Sequence, residues 1–279
     1  MRFLKVTPNP ETNSMKIIAS TSAFKDDLDH ALETLARLGF EEVDLIAIGS
    51  WGLVSVEALV EDFDAELARV QGLLSKHGLR AVSMNTAFSP QLFDREDAAQ
   101  NEARREQVRA VCRFMKAMEI PLAAHYPGHI ADWKNDPEGV WKGTVKSLRE
   151  IQSISKEFGV TLAPEIHFKT PFEAPADARR LLGEIPGLPY TYEPSHFIVN
   201  GVDYTTTVDL LEGAKHCHLR TSGEGQIQCA AADNFEPLDW MMSKLKERNY
   251  TGIVSIEYLP GADFDVEASI AALRVRYAR

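Results

Sequence analysis

Carboxylates and imidazoles recur near the ends of four short β-like runs in the second half of the chain. APEIH carries Glu165 and His167, and YTYEPSHF carries Glu193 and His196. KHCHLR carries His216, His218 and Arg220, and GIVSIEY carries Glu257. Successive runs therefore end in Glu, Glu, His and Glu. Pro194 has no N–H to give to a neighbouring strand, so Glu193 and His196 fall where a strand yields to a loop. Within His216-Cys217-His218, period-two alternation puts both imidazoles on one face and Cys217 on the other. Three carboxylates brought together in a low-dielectric place repel one another unless a cation sits among them. One divalent metal ion resolves that conflict. A set of three carboxylates and one imidazole is hard and mostly oxygen, which suits Mn, Mg or Co, with Zn as a further option.

These side chains converge only if the elements carrying them do. MKIIAS (15–20) precedes a helical pattern in which Leu28, Ala31, Leu32, Leu35 and Leu38 recur on one face, with Gly39 as its stop. VDLIAI precedes FDAELARVQGLLSKHG, closed by Gly78, and LRAVSM precedes a long charged helix over about 94–118. PLAAHY leads to a helix over 137–158, and VTLAPEI to ADARRLLGEI. PYTYE leads to a helix near 205–212, KHCHLR to PLDWMMSKLKERN, and GIVSIEY to a last helix over about 266–277. Strands alternating with helices pair in parallel, because parallel neighbours need a crossover. Eight such units in 279 residues predict an α/β fold, a single-domain (β/α)8 TIM barrel. It spans residues 15–279. Residues 1–14 are polar and proline-containing, and are expected to form a flexible N-terminal leader.

In such a barrel the strand C-termini and following loops build the site. That makes His125 and His129, flanking the turn after the fourth strand, candidates, along with Trp51 in IGSWG after the second. For Trp51 the competing role is ordinary loop packing, and for Arg220 a salt bridge to a nearby acid.

Composition excludes several classes. The net charge is −11, unfavourable for gripping phosphate backbones, so no nucleic-acid partner is expected. No apolar run reaches the roughly 18 residues of a membrane span, so no membrane partner is expected either. Cys112, Cys217 and Cys229 lie far apart without a CxxC pair, which fits a reducing compartment and a cytoplasmic location.

The set PEIH, EPSHF, HCHLR and SIEY, with HYPGH at the fourth strand, resembles the xylose isomerase-like TIM barrel superfamily of sugar phosphate isomerases and epimerases. The likeness runs over nearly the whole chain from Met15. It implies metal ligands Glu165, Glu193, His218 and Glu257, with glutamate at 193 where the family usually has aspartate. It implies that His196 binds substrate or a further metal. The superfamily also includes abasic-site endonucleases with three zinc ions. Here the third strand reads SMNT, with Asn85 at a position expected to supply one of their histidines. The Asp-x-His expected after the seventh strand is missing from TSGEGQIQCAAADN.

The implied chemistry is that of a divalent-metal-dependent isomerase or epimerase acting on a small sugar or polyol-derived hydroxy-ketone. Proton transfer passes through a metal-stabilised enediolate, with Glu165 and Glu257 as the acid–base pair. His196, His167, Arg220, His125 and Trp51 are the substrate-binding candidates. A metal-dependent lyase or hydrolase cleaving keto-glycosides by β-elimination remains open. So does a non-catalytic, metal-dependent sugar-binding subunit. No glycine-rich phosphate loop stands out, which points to unphosphorylated substrates. A homo-oligomer is compatible with the class.

Overall fold

The computed structural model describes residues 15–25, 27–48, 52–88, 98–127 and 135–278. The leader over 1–14, Trp51 and His129 lie outside the described residues. Eight strands alternate with helices: β1 (Lys16–Ser20), α1 (Leu28–Arg37), β2 (Glu42–Ala47), α2 (Val56–Glu61), α3 (Phe63–His77), β3 (Arg80–Ala87), α4 (Ala98–Ala117) and β4 (Leu122–Tyr126). The second half continues α5 (Pro137–Phe158), β5 (Thr161–Pro164), α6 (Pro175–Glu184), β6 (Thr191–Tyr192), α7 (Ser195–Ile198), α8 (Val208–Gly213), β7 (His216–Leu219), α9 (Glu236–Glu247), β8 (Ile253–Ile256) and α10 (Val266–Tyr277). All strand pairs are parallel, in the order β5-β4-β3-β2-β1-β8-β7-β6. A bridge between Glu165 and Thr191 joins the two ends, with Ile166 N–H donating to the Thr191 carbonyl at 3.1 Å. The sheet is a (β/α)8 barrel.

The helices form where the apolar spacing places them. On α1, Leu28, Ala31, Leu32 and Leu35 are buried, each leucine contributing about 1.5–3 kcal/mol by leaving water. Asp27 caps its start by accepting the Asp29 N–H at 2.8 Å. Helices α3 and α5 stop at Gly78 (φ 67°) and Gly159 (φ 73°), left-handed positions where a side chain is strained. Trp240 to Met242 lies in α9, with Met241 and Met242 in the core. Among the described residues no helix is long and apolar enough to cross a membrane.

Two elements lie beyond the sequence expectation. Helix α2 is an extra turn before α3, capped by Ser55, whose side chain accepts the Ala58 N–H. Helix α7 begins directly at Pro194, whose φ of −66° is already helical. The chain therefore leaves β6 not into open loop but into a single helical turn that carries Ser195 and His196.

Candidate metal centre

Four side chains meet where β5, β6, β7 and β8 end. Glu165 follows β5, and its N–H is pinned to the His125 carbonyl of β4 at 3.0 Å; Glu257 follows β8, its N–H pinned to the Leu219 carbonyl at 3.0 Å. Glu193 follows β6, and His218 lies within β7. Each of the four offers one ligand atom, and these atoms all lie within 4.8 Å of one another. His218 Nδ1 is 2.8 Å from Glu165 Oε1, 3.2 Å from Glu257 Oε2 and 3.8 Å from Glu193 Oε2. All four are buried.

The surrounding groups hold this arrangement in place. Arg220 Nη2 donates to Glu193 Oε2 at 2.7 Å, and the Ser195 hydroxyl donates to Glu193 Oε1. Asn85 Nδ2 donates to Glu257 Oε1 at 2.6 Å. Asn85 thus presents its side-chain amide N–H to a carboxylate of the cluster. His196 Nε2 lies 3.1 Å from Glu193 Oε2 and 3.4 Å from Glu165 Oε1.

Charge dominates the local protonation. Burial alone would push the Glu165 carboxyl up, but the His196 and His218 imidazoles outweigh it and hold it well below the usual range. Burial acts on Glu193 in the same way and is outweighed by Arg220 and His196, which hold it far down. Burial opposes the charged form of His218, yet Glu257 and Glu165 raise its pKa well above the ordinary imidazole value. Raised imidazole pKa values at His196 and His218 and the guanidinium of Arg220 offset the charge of the carboxylates.

The donor set fits a divalent cation on its own chemistry. Three carboxylates and the Nδ1 of one imidazole converge in burial, and each carboxylate keeps a second oxygen for another partner. Glu165, Glu193, His218 and Glu257 are the residues that would hold the ion.

Arg220 and Glu193 are 2% and 0% exposed, so neither charge is solvated when the other is removed. Arg220→Ala is expected to destabilise the metal-free protein by about 3 kcal/mol, the lower part of the range for breaking a buried pair. His196 and Ser195 still face the stranded carboxylate. Urea unfolding with and without Mn2+ measures this, and a loss below about 0.5 kcal/mol, typical of exposed pairs, would contradict it.

A cavity of about 230 Å³ opens onto the cluster, on the small side of the roughly 300–1,000 Å³ common for ligand sites. Glu165, Glu257, Asn85, Arg220, His167 and His196 give it polar character; Ile48, Tyr126, Phe168, Ile227 and Leu259 line the rest. The His167 ring is tilted against His196 with centroids 3.9 Å apart, and Phe168 stacks on His196 at 5.4 Å. His167, His196 and Arg220 are thus brought to the cavity. His125 is not among the residues that line it. Tyr126 lines the cavity, so alternation along β4 turns His125 to the other face. There its ring meets Phe88 edge-on at 5.1 Å, and burial pushes its pKa down to about 4. Asn85, read from the sequence only as a departure from the three-zinc pattern, lines the cavity, while Ser195 and the apolar lining residues escaped the sequence reading. Ser195 had a signal, since a hydroxyl two residues after an acid at a helix start can reach back to it. The apolar residues had none, because an apolar residue after a strand reads as core.

An eight-stranded parallel barrel whose last four strands deliver three carboxylates and an imidazole to one point defines a TIM barrel with its site at the strand C-termini. The chain belongs to the xylose isomerase-like TIM barrel family, whose model matches residues 32–275. No functionally curated protein matches it by sequence. Among solved structures, a D-tagatose 3-epimerase-like protein is similar at 17% identity and TM-score 0.73, covering 95% of this chain and 97% of that one. The 3-keto-D-glucoside 4-epimerase from E. coli is similar at 14% identity and TM-score 0.72, covering 94% and 99%. The IOLI protein with a bound zinc atom is similar at 18% identity and TM-score 0.69, covering 94% and 96%.

Proposed function

We propose that this chain is a divalent-metal-dependent isomerase or epimerase of a small, unphosphorylated sugar or polyol-derived hydroxy-ketone. The observation that carries this reading is the convergence of Glu165, Glu193, His218 and Glu257 within 4.8 Å beside a small cavity. The sugar epimerases and the zinc-containing protein among its structural relatives support it. When bound, a divalent cation acts as a Lewis acid on a substrate carbonyl and makes the neighbouring C–H acidic.

The chain's own groups then handle the proton. Glu165 and Glu257 both line the cavity, and each has one oxygen directed at His218; the second oxygen of Glu257 accepts the Asn85 amide N–H. One takes the proton from the carbon beside the carbonyl, and the electron pair of that C–H bond moves toward the carbonyl oxygen. Return of a proton to the same carbon from the opposite face, by the other glutamate, inverts the centre. Return to the former carbonyl carbon, with the neighbouring hydroxyl's proton passing to the former carbonyl oxygen, isomerises the sugar. His196 and Arg220, both 2% exposed, hold substrate hydroxyls or the oxygen on which charge develops. The His167–Phe168–His196 ring stack and the Ile227 and Leu259 side chains keep water from the reacting carbons.

The apolar part of the lining favours a second reading, a keto-glycoside whose aglycone lies against Phe168, Ile227 and Leu259 and leaves by β-elimination. One experiment separates the readings. Mn2+-loaded protein is incubated in D2O with a panel of ketoses and keto-glycosides and followed by proton NMR. Exchange at the carbon beside the carbonyl of a ketose is the expected result. Release of free aglycone supports elimination. Saturable sugar binding with no exchange on any panel member would overturn catalysis and leave a sugar-binding subunit.

A further inference from the structure

Below the candidate metal centre, toward the barrel interior, lies a layer of polar side chains that the chemistry above does not use. Asp44 on β2 and His216 on β7 are both fully buried, and Asp44 Oδ2 is 4.0 Å from His216 Nε2. Both carboxylate oxygens of Asp44 and both ring nitrogens of His216 lack a hydrogen-bond partner, as do His218 Nε2 and the hydroxyls of Ser83 and Ser255. Asp44, His216 and His218 each offer an atom within 4.8 Å of the others. The His216 and His218 rings meet edge-on, with centroids 4.9 Å apart. The register explains the gathering. Asp44 pairs with Ser83, and His218 with Ser255, across adjacent strands.

Native interiors rarely leave so many polar groups unpaired, because each costs about 1–3 kcal/mol. A buried water needs two to four polar partners, and this layer supplies them. A metal-ligating histidine generally donates its second ring N–H to a carboxylate, carbonyl or water, which fixes the tautomer and aims the ligating nitrogen. His218 turns Nδ1 to the carboxylate cluster, so Nε2 needs such an acceptor, and Asp44 is the buried carboxylate grouped with it.

Resting on the proposed metal centre, we infer that Asp44 is a positioning residue. Through a buried water shared with His216, it accepts the Nε2–H of His218 and so holds the Nδ1 lone pair toward Glu165, Glu193 and Glu257. His216 steadies the water, and Asp44 touches neither substrate nor ion.

The test is Mn2+ affinity, read from the free-ion EPR signal, in wild type, Asp44→Asn and Asp44→Leu. Asp44→Leu is expected to bind Mn2+ about 10–100-fold more weakly. Asp44→Asn keeps an acceptor oxygen and is expected to stay within about five-fold of wild type, taking that 10–100-fold loss as the yardstick. Thermal melting of the metal-free proteins separates positioning from structure. Asp44→Leu removes a costly buried carboxylate but also takes an acceptor from the bridging water, opposing effects of similar size, so its melting temperature should stay near that of wild type while its affinity falls. Unchanged Mn2+ affinity in a folded Asp44→Leu protein overturns the inference while leaving the metal centre intact. A wild type that binds no Mn2+ overturns the metal centre itself, and this inference with it. Should Asp44→Leu fail to fold, histidine-labelled wild type loaded with Zn2+ decides by nitrogen-15 NMR. Nδ1 ligation by itself fixes the Nε2–H tautomer, so the readout is the His218 Nε2 chemical shift: a shift that moves between wild type and Asp44→Asn supports the assignment, and an unmoved one overturns it.

Discussion

Glu165→Gln at saturating Mn2+ is expected to slow substrate proton exchange on the order of 1,000-fold, within the 10²–10⁴ range for removing a general base. The substitution keeps size and one oxygen but cannot carry the abstracted proton. Glu165 Oε1 faces His218 Nδ1 at 2.8 Å and His196 Nε2 at 3.4 Å, so the variant also loses part of its hold on the ion. Measuring at saturating Mn2+, with bound metal quantified in the same samples, separates the two effects. Full metal occupancy with lost exchange identifies Glu165 as the base. Exchange within about ten-fold of wild type at full occupancy, well below the usual loss for a missing base, removes it from that role. Lost occupancy at every accessible Mn2+ concentration leaves it a ligand first.

Mn2+ at 100 times its dissociation constant is expected to stabilise the fold by about 2.7 kcal/mol. For a chain of this length that raises the melting temperature by roughly 5–10 °C, and EDTA should reverse the shift. The effect should depend on pH with a definite sign. His218 has a raised folded-state pKa. Its pairing with the carboxylates is fully present below about pH 6.5, the unfolded imidazole value, and is lost as pH rises through the raised value. The folded-state pKa values of Glu165 and Glu193 are depressed. Their contribution is present above about pH 4.3 and is lost as pH falls through the depressed values. The metal-free protein therefore holds both contributions between roughly pH 4.3 and 6.5. The ion requires a bare Nδ1, so below the raised His218 value Mn2+ affinity should fall by up to about ten-fold per pH unit. A melting shift independent of pH would remove His218 from the ligand set.

The barrel was legible because helices such as α1 and α5 are amphipathic and α1, α3 and α5 are followed by glycines with positive φ. The 137–158 and 266–277 helices fall where the spacing put them. Helix α2 was not legible, since six residues carry too little periodicity to register. Strand β6 is only two residues long, and tertiary pairing rather than pattern makes it a strand. The four converging side chains were readable from their place at strand ends. The layer beneath them was not, although VDLIAI places an acid inside an otherwise apolar run. A charged residue in a buried strand is a signal, but its partners come from β3, β7 and β8, far away in sequence. His125 shows the reverse problem. A histidine at a strand end looks like a site residue until the neighbouring Tyr126 claims the inward face.

The joint between β5 and β6 rests on the single Glu165–Thr191 bridge and a few flanking hydrogen bonds, fewer paired residues than any other joint in the ring. Glu165 stands on one side of this seam and Glu193 on the other. An ion gripped by both is a rivet across the weakest stitch of the cylinder. Were the proposed ion removed, the closure of the wall would lose a cross-link along with the chemistry, so metal loading and resistance to unfolding are expected to change together.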